Sequence, residues 1–386
     1  MILWGRIQLK QFTKMLALVF MVGATASAAQ AQDINFSGDL RFGFAGFERD
    51  ERNGTETDDD QFRLRVRAGL QWNINDTWSF KGRYAGRVHD SRNQGGFVHL
   101  FDAPVGGGPS IAAGETTLDE FFVRARYGKW DHRIGRFQSN NRLIGLAAKS
   151  FSRTNSTSWD VGWTDGLQST YRSDHGLNYT AIIERNDKDG PSNVRRSPLG
   201  FAESASRVGY YLSVDAADTD GLWAQRSVDV TYIPSALYYN GLAAGQERDY
   251  FGVTGRLATQ VAMRDQMKLV SGVELAWAPE TQSKAAANMT GTGKTNGTGW
   301  QLSLNLMDIQ PGHSVGVVYG ETEAGWLLST DFPANQSLTE FRYAWVPMSG
   351  HLFEARIRER EDLSLLRNAA RKRAETDVFV RYSISL

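Results

Sequence analysis

The chain has 386 residues, no cysteine, and 43 basic residues balanced by 43 acidic ones. The lack of cysteine excludes disulfides, thiol catalysis and cysteine metal sites, and the neutral balance does not point to a nucleic-acid partner. The length admits one large domain or two ordinary ones, but no proline-rich linker or coiled-coil heptad divides it.

Arg6, Lys10 and Lys14 precede the apolar run MLALVFMVGA (15–24), and Ala29-Gln30-Ala31 follows. A basic region, an apolar stretch and an A-x-A site make residues 1–31 a secretory signal peptide, cleaved after Ala31. The run is too short for a membrane anchor, which needs about 20 apolar residues. Residues 32–386 then form one mature domain of 355 residues, and the loss of three positive charges leaves it at −3. No later stretch has the length and apolarity of a transmembrane helix.

From residue 34 the chain alternates with period two. Ile34, Phe36, Leu40, Phe42 and Phe44 oppose Asn35, Ser37, Asp39 and Arg41. In FRLRVRAGLQW (62–72), Phe62, Leu64, Val66, Ala68, Leu70 and Trp72 oppose Arg63, Arg65 and Arg67. In 78–89, Trp78, Phe80, Tyr84 and Val88 oppose Lys81, Arg83, Arg87 and His89; in 120–127, Phe121, Val123, Ala125 and Tyr127 oppose Glu120, Arg124 and Arg126. Weaker alternation covers 133–137. Further segments are 167–172, 177–185, 208–216, 225–233, 250–260, 268–277, 300–307, 315–321, 339–346, 352–360 and 377–386. Such alternation marks strands with two unlike environments. About sixteen of them predict an all-β, antiparallel up-and-down transmembrane barrel, and their even number suits a bacterial one.

The connections support this. Short turns at 73–77, 128–131, 173–176, 218–221, 310–312 and 347–350 are interspersed with long polar connections at 49–61, 90–116, 187–206, 279–297 and 361–374. Short periplasmic turns and long extracellular loops are the layout of an outer-membrane barrel, whereas a soluble sandwich has no reason to follow it. Trp72, Trp78, Tyr127, Trp130, Trp277, Trp300 and Trp345 stand near strand ends, as interfacial girdles require.

LDEFFVRARYGKWDHRIGRFQ (118–138) resembles the strand–turn–strand that sixteen-stranded bacterial outer-membrane porins place before their constriction loop, and WTDGLQSTY (163–171) resembles the strand after it. The ending VFVRYSISL is similar to the terminal strand signal of such barrels, with Leu386 where an aromatic residue is usual. The phosphate-selective porins are among the relatives this suggests. The resemblance implies a Gram-negative outer-membrane location, a lipid surround, a homotrimer, and residues 138–160 folded into the lumen with Arg142, Lys149 and Arg153. The bland reading of 138–160 is an ordinary exposed loop.

An arginine or lysine facing lipid at mid-membrane costs ~2–4 kcal/mol. The basic faces must therefore turn inward, making Arg63, Arg65, Arg67, Lys81, Arg83, Arg87, Arg124 and Arg126 a candidate pore wall. Inward acids are expected at Glu184, Asp215, Glu274, Glu340 and Glu354, with Asp39 and Glu120 near the cluster. Two readings remain: a cationic wall that concentrates anions, or a structural network in which the arginines pair with loop acids.

Other chemistry finds little support. GTGKT (291–295) ends like a phosphate-binding loop, but Asn288 stands where that motif needs glycine. The six histidines (His89, His99, His132, His175, His313, His351) form no close ligand pair. There is no G-x-S-x-G elbow, and strand by strand no serine and histidine share an outward face. The expectation is a channel without cofactor, metal or catalytic residues, passing small, preferentially anionic solutes. The alternative is a structural or adhesive barrel without an open channel, whose long loops do the binding.

Overall fold

The computed structural model describes residues 33–89, 116–156, 158–187, 206–216, 221–237 and 247–386. They form sixteen strands: β1 Ile34–Asp50, β2 Glu56–Asn73, β3 Trp78–His89, β4 Thr116–Tyr127, β5 Trp130–Phe137, β6 Thr164–Arg172, β7 Asn178–Asp187 and β8 Ser206–Ala216. The second half comprises β9 Trp223–Leu237, β10 Arg248–Ala262, β11 Lys268–Trp277, β12 Thr298–Gln310, β13 His313–Thr322, β14 Gln336–Trp345, β15 His351–Asp362 and β16 Ala374–Ser385. Each strand pairs antiparallel with its chain neighbours, and β1 pairs with β16 to close the barrel. Closure leaves no unpaired edge, which a sheet in lipid requires.

Alternation becomes two faces. Phe62, Leu212, Leu275 and Leu304 point outward and are 66%, 59%, 59% and 54% exposed, while Arg65, Glu274 and Gln301 point inward and are buried. An apolar outside around a polar inside is stable only if lipid covers the outside. No helix among the described residues is long and apolar enough to cross a membrane. Exposed Trp72, Trp78, Trp130, Trp223 and Trp345 ring the short-turn end, and Trp277 stands at the other.

The long connection expected at 49–61 shrinks to 51–55, because β1 runs to Asp50 and β2 begins at Glu56. Its acidic run disguised paired strand: Asp58 faces Glu48 and Glu56 faces Asp50 across the ladder. In return, residues 323–335 between β13 and β14 are a long connection that alternation did not flag. The signal segment 1–31, His99 and nearly all of 90–116, 187–206 and 218–221 lie outside the described residues.

One bulge bears on the site. Between β3 and β4 the register jumps from Arg83↔Glu120 to Tyr84↔Leu118, leaving Asp119 as the extra residue. A bulge lets two successive side chains serve one face: Asp119 and Glu120 both reach Arg83.

Candidate functional site

Residues 138–163, between β5 and β6, fold into the barrel. Their outbound limb is fastened to the far wall: Ile144 N donates to Gln225 Oε1 (2.9 Å, β9), Ala147 N to Asn305 Oδ1 (3.0 Å, β12), and Lys149 Nζ to Glu340 Oε1 (2.7 Å, β14). Phe151 N donates to the Glu274 carboxylate on β11 at 3.1 Å. The wall is cut back to receive the limb: a Cβ on Gly272 would lie 2.9 Å from Leu143, and Gly145, at φ +124, sits where a side chain would strike Asn305.

The loop between β13 and β14 folds in behind it. Trp326 Nε1 donates to Phe151 O at 3.1 Å, Ser329 Oγ to Ser150 O at 2.7 Å, and Phe332 packs on Phe151 with ring centres 4.8 Å apart. Phe151, Tyr250, Trp326 and Phe332 are all buried, so this barrel carries a small apolar core inside its lumen. Burying each such side chain stabilises the in-folded state by roughly 1.5–3 kcal/mol.

The expected basic wall divides by role. Arg41, Arg65 and Arg87 face one another directly across β1, β2 and β3. Like charges so placed repel, and the returning limb of the loop offsets this. Arg41 Nη1 donates to Ser158 O at 2.7 Å, Arg65 Nη1 lies 3.3, 3.2 and 3.1 Å from the carbonyl oxygens of Ser156, Ser158 and Asp160, and Arg87 bonds the Asp160 carboxylate at 2.7 Å. Arg65 is therefore fully buried and holds the loop; it does not line the lumen.

Arg67 and Arg83 share Asp119 (3.1 and 2.8 Å), Lys81 pairs with Glu120 (2.9 Å), and Arg124 binds Asp131 (2.8 Å) near the short turn. Arg63 donates to Gln61 at 2.8 Å, with no carboxylate in ion-pair range among the described residues. Arg126 is exposed at the short-turn end. In the loop, Arg142 is exposed and Lys149 buried. Arg153 departs from expectation: it is buried on Glu184 (2.8 Å) with its guanidinium over the Tyr211 ring, 4.5 Å from its centre. It fastens the loop to β7 and β8 instead of facing solute.

Eight of the thirteen cationic side chains that line the lumen cavity described below lie outside the expected set. HLFEARIRERED (351–362) places Glu354, Arg356, Arg358 and Arg360 on one inward face, the pattern that drew attention in 62–72. Closure sets β15 and β16 beside β1, so Arg356, Arg358, Arg360, Arg381 and Arg41 continue the β2–β3 wall across the seam. Arg356 and Arg381 stack on the inward Phe379 ring, 4.3 and 4.8 Å from its centre.

A cavity of about 1200 Å³ occupies the lumen. It is lined at the long-loop end by Arg49, Arg360 and Glu375 and at the short-turn end by Gln260, Lys268 and Met307. From the expected set it takes Arg63, Arg67, Arg83, Arg142 and Lys149. Among the described residues its lining holds thirteen cationic and seven acidic side chains, a surplus of six. Adding Arg65 and the carboxylates just behind the wall (Asp39, Asp119 and Glu340) makes fourteen against ten, a surplus of four.

Two other motifs resolve. GTGKT lies in the β11–β12 loop with no helix after it; Lys294 bonds Glu280 and holds that carboxyl below its usual range. A serine and a histidine do share an outward face: Ser169 Oγ lies 2.9 Å from His132 Nδ1, because the β5–β6 register sets them opposite, which alternation in single strands does not reveal. The second ring nitrogen meets the Tyr127 hydroxyl at 2.9 Å, where a hydrolytic dyad would place a group that steadies the imidazolium. His313–Tyr343 and His351–Tyr382, both at 2.7 Å, repeat the histidine–tyrosine pairing. The pattern is that of an interfacial girdle.

A closed sixteen-stranded antiparallel barrel with an apolar exterior, a polar lumen and an in-folded loop has the fold of the bacterial outer-membrane porins. That fold is shared with OprB of Pseudomonas putida (13% identity over 94% of this chain and 97% of that one, TM-score 0.62). OccK8 (OprE) of Pseudomonas aeruginosa is similar at 12% identity over 92% of this chain and 98% of its own, TM-score 0.51. OccD3 (OpdP) of the same organism follows at 11% identity over 92% and 91%, TM-score 0.51. At these identities the likeness is one of fold. No family model and no curated protein matches the sequence.

Proposed function

We propose that the chain is an outer-membrane channel through which small hydrophilic solutes diffuse passively, with anions favoured. The observation that carries this reading is a lumen cavity lined from both ends of the barrel, with a surplus of cationic side chains among the described residues. A low-dielectric wall focuses such a field and raises the local anion concentration. Many of the arginines are paired, so the preference rests on the net surplus and on Arg63 and Arg142, which have no carboxylate in ion-pair range among the described residues. Sixteen strands make a barrel wider than side chains alone fill, which favours a channel over a purely structural or adhesive barrel.

The remaining expectations belong to the same reading: export by residues 1–31, insertion in a Gram-negative outer membrane, and assembly as the homotrimer that the porin resemblance implies. Reversal potentials across a planar bilayer under a salt gradient test the channel and its sign. Cation preference removes the anion assignment, and absence of conductance removes the channel.

A further inference from the structure

We infer that the outward face of β5 and β6 carries a serine esterase site that hydrolyses acyl ester bonds of phospholipids in the leaflet around the short-turn end. The inference goes beyond the channel reading and shares with it only the insertion of the barrel in a bilayer. Of the three histidine–tyrosine pairs, those of His313 and His351 engage tyrosine through Nδ1 and have no serine on the other nitrogen among the described residues. His132 uses both nitrogens: Ser169 Oγ lies 2.9 Å from Nδ1, and the Tyr127 hydroxyl 2.9 Å from Nε2. Trp130 and Tyr127 stack on the imidazole, 5.6 and 5.2 Å between ring centres, and hold its orientation. A bond from Nε2–H to the tyrosine oxygen assigns the lone pair to Nδ1, where it faces the serine hydroxyl.

Depth selects the bond. Exposed Tyr127 and Trp130 belong to the girdle, where headgroups meet acyl chains. Ile134 and Leu167, exposed on the next outward row, offer an apolar surface to the chains. Lys129, exposed in the adjoining turn, stands on the headgroup side. The glycerol ester linkages lie between these levels, at the height of Ser169. Across the β6–β7 ladder Ser169 faces Ala181, so no large side chain covers the hydroxyl from that strand.

Ser169 Oγ attacks the ester carbonyl carbon while its proton passes to His132 Nδ1. The bond from that carbon to the glycerol oxygen breaks, and the departing oxygen takes the proton from Nδ1. Water then attacks the acyl-serine ester and gives a proton to Nδ1. Ser169 Oγ leaves with that proton as the fatty acid departs. Tyr127 is a positioning residue. Backbone N–H groups beside Ser169 serve the two ladders and not an oxyanion. Turnover is therefore expected roughly 10²–10³-fold below that of a hydrolase with a built oxyanion hole.

The test incubates the purified full-length mature protein with dioleoylphosphatidylethanolamine in detergent micelles and measures oleate and lysophospholipid by mass spectrometry. Both should appear in equal amounts. Release should fall at least ~100-fold in Ser169→Ala and in His132→Phe, which keeps a ring in the stack. Tyr127→Phe should lower the maximal rate about tenfold, with the half-saturating lipid concentration unchanged. A fluorophosphonate should label Ser169 in the native protein but not in His132→Phe. Heat-shifted gel migration equal to that of the native protein checks that each variant is a folded barrel. Absence of release and label in the native protein overturns the inference, and so does release that persists in Ser169→Ala. Conductance in a planar bilayer should be the same in every variant, and its absence bears on the channel reading alone.

Discussion

Arg65 on β2 sets one guanidinium nitrogen 3.1 Å from the backbone carbonyl of Asp160, across 95 residues of chain. The same nitrogen lies within reach of Ser156 O and Ser158 O, and its partner nitrogen bonds Asp39 at 3.0 Å. The central arginine of the β2 ladder is thus a clasp on the returning limb of the loop. Cationic residues here occupy two kinds of place: some hold the loop, and others line the lumen cavity.

Arg65→Met should loosen that limb. Charge-assisted hydrogen bonds contribute ~1.5–3 kcal/mol each when lost, so denaturant unfolding should show a loss of a few kcal/mol. Single-channel recordings should show a larger, noisier conductance. Unchanged conductance would mean the limb is held without Arg65.

The Arg153–Glu184 pair is buried on both sides. Glu184→Gln leaves an uncompensated guanidinium, which costs ~3–5 kcal/mol. Joint replacement by Arg153→Met and Glu184→Leu should recover most of that loss. A double-mutant cycle in denaturant measures it, and additive single losses would refute the coupling.

Asp119 neutralises Arg67 and Arg83 from behind the wall. Asp119→Asn should therefore raise the anion-to-cation permeability ratio while lowering stability. A ratio that falls or stays constant counts against the view that net lumen charge sets selectivity.

Export provides a check independent of the pore. Intact mass spectrometry of protein extracted from outer membranes should begin at Gln32. A mass that retains residues 1–31 contradicts the signal-peptide reading.

Much of the barrel was legible because lipid allows only one arrangement of an alternating strand. Phe62 and Leu64 had to face out, so Arg63 and Arg65 had to face in. Strand ends were less legible where the apolar face gave way to charge, as at Glu56–Asp60, because beyond the membrane the ladder persists without an apolar residue to mark it. The Asp119 bulge was hidden because two acids in a row look like a break in alternation, not like two groups serving one face. Cross-strand partners such as Ser169 and His132, or Arg41 and Arg65, depend on register, which turns and packing fix. The inward role of 323–335 lay in Trp326 and Phe332, apolar residues in a connection that water would otherwise surround. The wall on β15 is visible in 351–362 as alternation, but only closure of β16 onto β1 brings it beside β2.

The central claim is that the surplus of cations lining the lumen sets the sign of selectivity. The most direct measurement is the reversal potential of the purified channel under a potassium chloride gradient, beside the Arg63→Gln, Arg142→Gln double variant. Neither residue has an ion-pair partner among the described residues, so the variant should fold with a stability change within ~0.5 kcal/mol. The account predicts chloride preference in the native protein and a clear fall toward neutrality in the variant. A potassium preference in the native protein, or an unchanged reversal potential in the variant, would contradict it.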